Sequence, residues 1–144
     1  MSFTVDANVL LYASDEASAD HSRAKEFLEQ AVSGDDLVYL FWPTVMAYLR
    51  LATHPAIFQR PLPPAVAVAN IERLLDHPRV QTAGERDRFW HSFRQVAGEA
   101  DARGNIVPDA HVVALMVENG VRTIWTRDRD YRRFTGIEAR DPFA

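Results

Sequence analysis

Short apolar runs alternate with longer segments of helical periodicity along the whole chain. In the segment 21–32, for example, Ala24, Phe27, Leu28 and Ala31 recur at the spacing of one helix face. The apolar runs predict strands at 3–6, 37–41, 80–82 and 122–126, with 137–139 as an edge strand. The periodic segments predict helices at 8–14, 21–32, 44–53, 65–75, 86–103 and 107–118.

This alternation indicates an α/β fold with a mainly parallel central sheet that is covered by helices on both faces. The segment 54–64 contains four prolines and is predicted to be a loop. The periodic pattern simply continues after it, so the loop does not mark a domain boundary. We therefore expect residues 1–144 to form a single domain, which agrees with the ordinary size of domains.

Carboxylates stand at the ends of several predicted elements. Asp6 ends the first strand, Asp109 opens the helix 107–118, and Asp128 and Asp130 follow the strand 122–126. In open parallel sheets, ligands bind beyond the carboxyl ends of the strands. If the first and the late strand are neighbours, these side chains converge on one edge of the sheet.

Converging carboxylates repel one another and raise one another's pKa, so a positive partner is needed. Hard oxygen ligands, in a chain without cysteine, favour Mg²⁺, with Mn²⁺ as a substitute. Mg²⁺ keeps several coordination positions for water and for phosphate oxygens. The chemistry that this pattern implies is metal-assisted cleavage of a phosphodiester.

Each of these residues also has a purely structural explanation. Asp6 is suited to cap the following helix, and Asp109 complements the helix dipole. The segment 128–130 can be a solvated turn, Asn8 can be a cap rather than a supporting residue, and His111 is more typical of packing or hydrogen bonding. The metal site is favoured because all of these explanations would have to hold at once.

Composition adds a local signal to an unremarkable average. The net charge of −4 argues against a surface that grips nucleic acid as a whole, but fifteen of the sixteen basic residues are arginine. Arg127, Arg129 and Arg132 lie beside the late acidic segment and are candidates for binding a phosphate backbone. A preference for arginine in the genome would explain any one of them equally well.

Several classes of protein are disfavoured by what the chain lacks. The absence of cysteine excludes disulfides and thiolate chemistry. No secretory signal pattern precedes the first strand, and no apolar stretch reaches the length needed to span a bilayer. We therefore expect a soluble cytoplasmic domain that does not bind membranes.

The ordered motifs of this chain resemble those of PIN-domain ribonucleases and, more narrowly, of VapC toxins from type II toxin–antitoxin systems. The resemblance rests on the segments 5–11, 108–111 and 126–131, with further similarity at 49–55 and in the proline-rich loop that follows. It implies a three-layer α/β/α fold and Mg²⁺-dependent endoribonuclease activity on RNA. It also implies a homodimer and a cognate VapB-type antitoxin that binds over the active site.

The resemblance assigns roles residue by residue. Asp6 and Asp109 match the principal metal-binding acids. Asp128 matches the later acid, for which Asp130 is a close substitute, and Thr126 matches a hydroxyl that supports the cluster. Asn8 is a further supporting candidate.

One departure from the family pattern concerns Tyr48, which stands where these proteins usually carry a glutamate. A neutral phenol is a poor ligand for Mg²⁺. The main prediction is a nuclease that holds its metal through Asp6, Asp109 and Asp128. The alternative that Tyr48 favours is a catalytically weakened PIN-fold module that binds RNA or a partner. A third interpretation is a small-molecule phosphatase. It is disfavoured because no Asp-x-Asp motif follows the first strand.

Overall fold

Five parallel strands form one sheet in a computed structural model that covers residues 1–144. The strands are β1 (Ser2–Val5), β2 (Leu37–Phe41), β3 (Val80–Ala83), β4 (Thr123–Trp125) and β5 (Glu138–Arg140). Their order in the sheet is β3-β2-β1-β4-β5, and all four pairings are parallel. The prediction of an α/β fold around a mainly parallel sheet is confirmed, and the sheet is parallel throughout.

Six helices cover the two faces of this sheet. They are α1 (Ala7–Ser14), α2 (His21–Ser33), α3 (Trp42–Ala52), α4 (Pro64–Leu75), α5 (Phe89–Ala100) and α6 (Ile106–Glu118), and a 3₁₀ turn follows at Arg129–Arg133. One core lies between the sheet and α1 to α4, around Val5 and Leu40. The other lies between the sheet and the pair α5 and α6, around Phe41 and Ile124. The three-layer architecture follows from these two separate cores.

The position of β1 next to β4 decides where a ligand can bind. From β1 the chain continues to β2 and then to β3, at one edge of the sheet. It then forms α5 and α6 and returns to β4, which lies on the other side of β1. The strand order reverses between β1 and β4, and a crevice opens at such a point beyond the carboxyl ends of the strands. Val5 is paired with Trp125, so Asp6 and Thr126 leave the sheet side by side.

Helix α5 is shorter than the predicted segment 86–103. At its start, the carboxylate of Glu118 accepts hydrogen bonds from the backbone N–H groups of Arg86 (2.9 Å) and Arg88 (3.1 Å). At its end, Asp101 adopts a left-handed conformation with φ 49°, which turns the chain away from the helix. The first cause is a tertiary contact and the second is a backbone conformation, and neither can be predicted from the hydrophobic pattern alone.

Helix α6 begins at Ile106, one residue earlier than predicted. Pro108 is therefore the third residue of the helix. Proline is tolerated there because the N–H groups of the first turn have no partner within the helix. Asp109 remains in the first turn, as expected. No helix of the structure combines the length and the apolar character needed to cross a membrane.

Candidate metal centre

Asp6 leaves β1 at the crevice and occupies the N-cap position of α1. Its carboxylate makes no side-chain capping bond to the helix and instead accepts a 2.8 Å hydrogen bond from the hydroxyl of Thr126. Burial raises the pKa of Asp6, and the Thr126 hydroxyl and the nearby backbone N–H groups of Asn8 and Ala7 oppose this rise. Asp6 therefore stands at the N-cap position of α1 while its carboxylate is tied to Thr126 across the crevice.

Thr126 links the two sides of the crevice. Its side chain is buried, and its hydroxyl accepts a 2.9 Å hydrogen bond from the backbone N–H of Asp128 while donating to Asp6. A side chain that donates and accepts in this way fixes the path of the segment that leaves β4. Asn8, the other supporting candidate, has an exposed side chain at the start of α1.

Three further acids converge as predicted. One carboxylate oxygen from each of Asp109, Asp128 and Asp130 lies within 4.8 Å of the others. Asp109 comes from the first turn of α6, whereas Asp128 caps the 3₁₀ turn by accepting a 2.9 Å hydrogen bond from the backbone N–H of Asp130. Asp6 adjoins this group, and its charge acts on Asp109. All four predicted acids therefore meet at one edge of the sheet.

Within the group, Asp109 is surrounded by negative charge. The pKa of Asp109 is raised to about 6, first by burial and then by the negative charges of Asp128 and Asp6. Carboxylate oxygens that repel one another are the donor set that a divalent cation prefers. The acids whose oxygens are close enough to share such a cation are Asp109, Asp128 and the more exposed Asp130, with Asp6 beside them.

Tyr131 belongs to this centre although the sequence analysis did not single it out. Its ring is buried in the 3₁₀ turn, and the proximity of its hydroxyl lowers the pKa of Asp109, against the stronger opposing effect of burial. Burial and the surrounding acids raise the pKa of Tyr131, so its proton stays in place. The signal in the sequence was an aromatic residue three positions after Asp128, where a single turn brings it back over the acids.

The three predicted arginines differ in their ion pairing. All three are exposed, and with Asp128 they line one small cleft beside the acids. The guanidinium of Arg127 is instead paired with Asp20 on the other side of the loop, at 2.9 Å. Arg127 is therefore less available to an external phosphate than its two neighbours.

Tyr48 does not lie among the acids. Its side chain is almost fully buried in the core between α1, α3 and α4. Its hydroxyl is 2.6 Å from the hydroxyl of Ser14 and accepts a 3.0 Å hydrogen bond from the side-chain amide of Asn70. The phenol thus satisfies a polar position within the core.

His111 is also engaged elsewhere. Its Nε2 atom lies 2.6 Å from a carboxylate oxygen of Glu85, which follows β3, and its ring meets Phe89 edge to face. The hydrogen bond to His111 lowers the pKa of Glu85. This arrangement agrees with the hydrogen-bonding role that the sequence favoured for His111, and the pairing with Glu85 was not foreseen.

Comparisons with known proteins agree with this geometry. The family model of the PIN domain matches residues 3–137. The chain is 49% identical to Ribonuclease VapC48 of Mycobacterium tuberculosis, over 100% of this chain and 99% of that protein. It belongs to the PIN-domain family, and within that family to the group of VapC ribonucleases. The resemblance drawn from the ordered motifs is thereby confirmed.

Solved structures share the fold at low sequence identity. VapBC2 from Rickettsia felis, bound to a DNA fragment from its promoter, superposes with a TM-score of 0.71 at 10% identity, over 98% of each chain. VapC20 of Mycobacterium tuberculosis, described as a Sarcin-Ricin loop cleaving toxin, superposes with a TM-score of 0.66 at 17% identity. The latter match covers 94% of this chain and 98% of that one.

Proposed function

We propose that this chain is a Mg²⁺-dependent endoribonuclease and the toxin of a type II toxin–antitoxin system, with residues 1–144 acting as one PIN domain. The observation that carries the proposal is the convergence of Asp109, Asp128 and Asp130 beside Asp6 at the switch point of the sheet. Support comes from the 49% identity to a protein named as a ribonuclease.

Asp6, Asp109 and Asp128 would hold the cation, with Mn²⁺ as a substitute for Mg²⁺. When bound, the cation polarises the scissile phosphate and lowers the pKa of a water molecule. Thr126 holds the carboxylate of Asp6 in place, and the buried Tyr131 hydroxyl lowers the pKa of the neighbouring Asp109. Asp130, at the exposed side of the cluster, is placed to orient water.

The acids of the centre would repel an RNA strand, so the chain needs cations beside them. Arg129 and Arg132 are exposed next to Asp128 and can each donate two hydrogen bonds to a phosphate. We assign the steering of the RNA backbone to these two residues. Arg127, which was a third candidate, contributes less because its guanidinium is paired with Asp20.

Two partners belong to the proposal. Several structural relatives are VapBC complexes, which favours a VapB-type antitoxin as the partner of this chain. We also propose a homodimer, as the family resemblance implies. Co-expression with the product of a neighbouring gene, followed by size-exclusion chromatography with light scattering, tests both assemblies.

The activity is tested with purified protein and a structured RNA, with Mg²⁺ and with chelator. We expect cleavage with Mg²⁺, none with chelator, and at least about a hundredfold loss of rate in Asp6→Asn. Asp76→Asn is the matched control, since Asp76 is an exposed acid at the end of α4. Equal rates for Asp6→Asn and the wild type would refute the assignment of the centre.

The second candidate is a binding module that has lost cleavage activity. It is favoured by Tyr48, which stands where the family usually carries a glutamate. Calorimetry with Mg²⁺ separates the two: a site that is present in the wild type and lost in Asp109→Asn supports the enzyme. RNA binding without a metal site, and without cleavage, supports the module. Activity on a phosphomonoester but none on RNA would instead support a phosphatase.

A further inference from the structure

Arg127 lies in the chain between Thr126 and Asp128, two residues of the centre, but its side chain is bound by residues outside the centre. Its neighbours Thr126 and Asp128 make the hydrogen bonds that tie this loop to Asp6. The guanidinium itself lies 2.9 Å from a carboxylate oxygen of Asp20 and 3.8 Å from one of Asp141. The loop is thus anchored through Arg127 to the start of α2 and to the C-terminal segment.

The C-terminal segment 141–144 is folded against the same place. The ring of Phe143 lies 4.7 Å from the guanidinium of Arg23 and 5.4 Å from that of Arg127, with Tyr12 at 6.3 Å. The backbone N–H of Phe143 donates a 2.8 Å hydrogen bond to the side chain of Asp141, which closes the segment into a turn. A cation over an aromatic face is attracted by its quadrupole, and here one ring serves two cations.

Asp20 connects the two arginines from the opposite side. One of its carboxylate oxygens contacts Arg23 and the other Arg127, and its side chain is only 18% exposed. An isolated surface ion pair stabilises little, but here two guanidinium groups, one carboxylate and one ring restrict one another. We call the set Asp20, Arg23, Arg127, Asp141 and Phe143 the tail clamp.

The tail-clamp residues Asp141 and Phe143 follow directly after β5, the strand that borders the loop containing Arg127. The carbonyl of Arg140, the last residue of β5, accepts a 2.8 Å hydrogen bond from the backbone N–H of Thr126. The segment 141–144 then returns to Arg127, so the loop is held on its backbone by β5 and on its side chain by the residues after β5. Beyond Trp125 no strand pairing holds the residues that carry Asp128 and Asp130.

We propose that the C-terminal segment, through Phe143 and Asp141, is a positioning element of the metal centre. It holds Arg127 and thereby the loop that presents Thr126 and Asp128 to the cation. Arg127 accordingly acts as a positioning residue rather than as an RNA contact. The inference rests on the proposed function, because it assumes that the acids bind a divalent cation.

The test compares Phe143→Ala and Arg127→Ala with the wild type by Mg²⁺ calorimetry and by RNA cleavage. We expect both variants to bind Mg²⁺ about tenfold more weakly and to lose about tenfold in kcat, with KM changed less than about twofold. Phe143→Tyr, which keeps the ring, restores both values. Arg122→Ala is the control, since Arg122 is an exposed arginine outside the clamp.

Two results would overturn the proposal. If the variants only lower the melting temperature while Mg²⁺ affinity and kcat stay at wild-type values, the clamp is merely structural. If Arg127→Ala raises KM and Phe143→Ala changes nothing, Arg127 contacts RNA directly. Failure of the proposed function is distinguished by Asp109→Asn: if this variant binds Mg²⁺ as the wild type does, the centre itself is misassigned.

Discussion

The hydroxyl of Thr126 donates a 2.8 Å hydrogen bond to Oδ2 of Asp6, across the pairing of β4 with β1 and over a separation of 120 residues in the chain. The same hydroxyl accepts the backbone N–H of Asp128. One neutral side chain therefore fixes the carboxylate of Asp6 and the backbone of Asp128, which follow two neighbouring strands. Outer hydrogen bonds of this kind set both the orientation and the basicity of metal ligands.

Replacing Thr126 by valine keeps the shape of the side chain and removes both hydrogen bonds. We expect the affinity for Mg²⁺ to fall by about tenfold or more, because Asp6 and Asp128 lose their common partner. Isothermal titration calorimetry measures the change. Thr126→Ser is the control, because it retains the hydroxyl and should stay close to the wild type; equal losses in both variants would contradict this role.

The raised pKa of Asp109 predicts how the stability of the metal-free protein depends on pH. The pKa is about 6 in the folded chain, against a reference value of 3.8. Between these values the folded state holds a proton that the unfolded state has lost, so stability falls as the pH rises towards 6. Above that pH the penalty is fully present, and a bound cation relieves it.

The corresponding measurement is the melting temperature of wild type and Asp109→Asn, without metal, across this range of pH. We expect the asparagine variant to be the more stable protein above about pH 7, with an advantage that shrinks as the pH falls below about 5. Added Mg²⁺ should stabilise the wild type only. An advantage that is independent of pH would show that Asp109 does not titrate in this way.

The sequence contained the acids of the centre but not the contacts that tune them. Asp6 was predictable because a charge at the end of an apolar strand is unusual, and Asp109 because it opens a helix that leads into a later strand. Their convergence depended on β1 lying next to β4, which periodicity does not determine. The family resemblance supplied that order of strands indirectly, through its fold.

Tyr131 and Arg127 show what lay beyond the reach of the pattern. The effect of Tyr131 on the pKa of Asp109 connects the 3₁₀ turn to helix α6, and strand β4 lies between these two elements in the chain. The pairing of Arg127 with Asp20 spans 107 residues. In a sequence, an arginine beside acidic residues suggests a phosphate ligand. Only the three-dimensional structure shows that Arg127 is already paired with Asp20.

Replacing Tyr131 by phenylalanine removes the buried hydroxyl near Asp109. Because this hydroxyl lowers the pKa of the carboxyl, we expect the pKa of Asp109 to rise further and cation binding to move to higher pH. Mn²⁺ titrations at several pH values measure the displacement. Tyr39→Phe is the control, since Tyr39 lies in β2 and stacks on Phe41 away from the acids. An unchanged pH profile would show that the Tyr131 hydroxyl does not influence Asp109.

Tyr48 allows the core and the centre to be separated by two substitutions. Tyr48→Phe removes the contacts with Ser14 and Asn70, and we expect it to cost about 1 to 2 kcal/mol of stability with kcat unchanged. Tyr48→Glu places a carboxylate in the same core, and we expect it to cost about 3 kcal/mol or more at neutral pH. Urea unfolding and RNA cleavage measure both. Tighter Mg²⁺ binding by Tyr48→Glu would contradict the assignment of Tyr48 to the core.

Arg129 and Arg132 make a prediction about salt. If each binds one phosphate of a single-stranded segment, the double variant Arg129→Gln/Arg132→Gln should reduce the slope of log affinity against log salt by about 1.4. RNA affinity is measured in Ca²⁺, to suppress cleavage, at several salt concentrations. Arg122→Gln, which removes an exposed arginine at the start of β4, should leave the slope unchanged. If both variants weaken binding equally, the arginines act through net charge; if neither does, the RNA backbone follows another path across the surface.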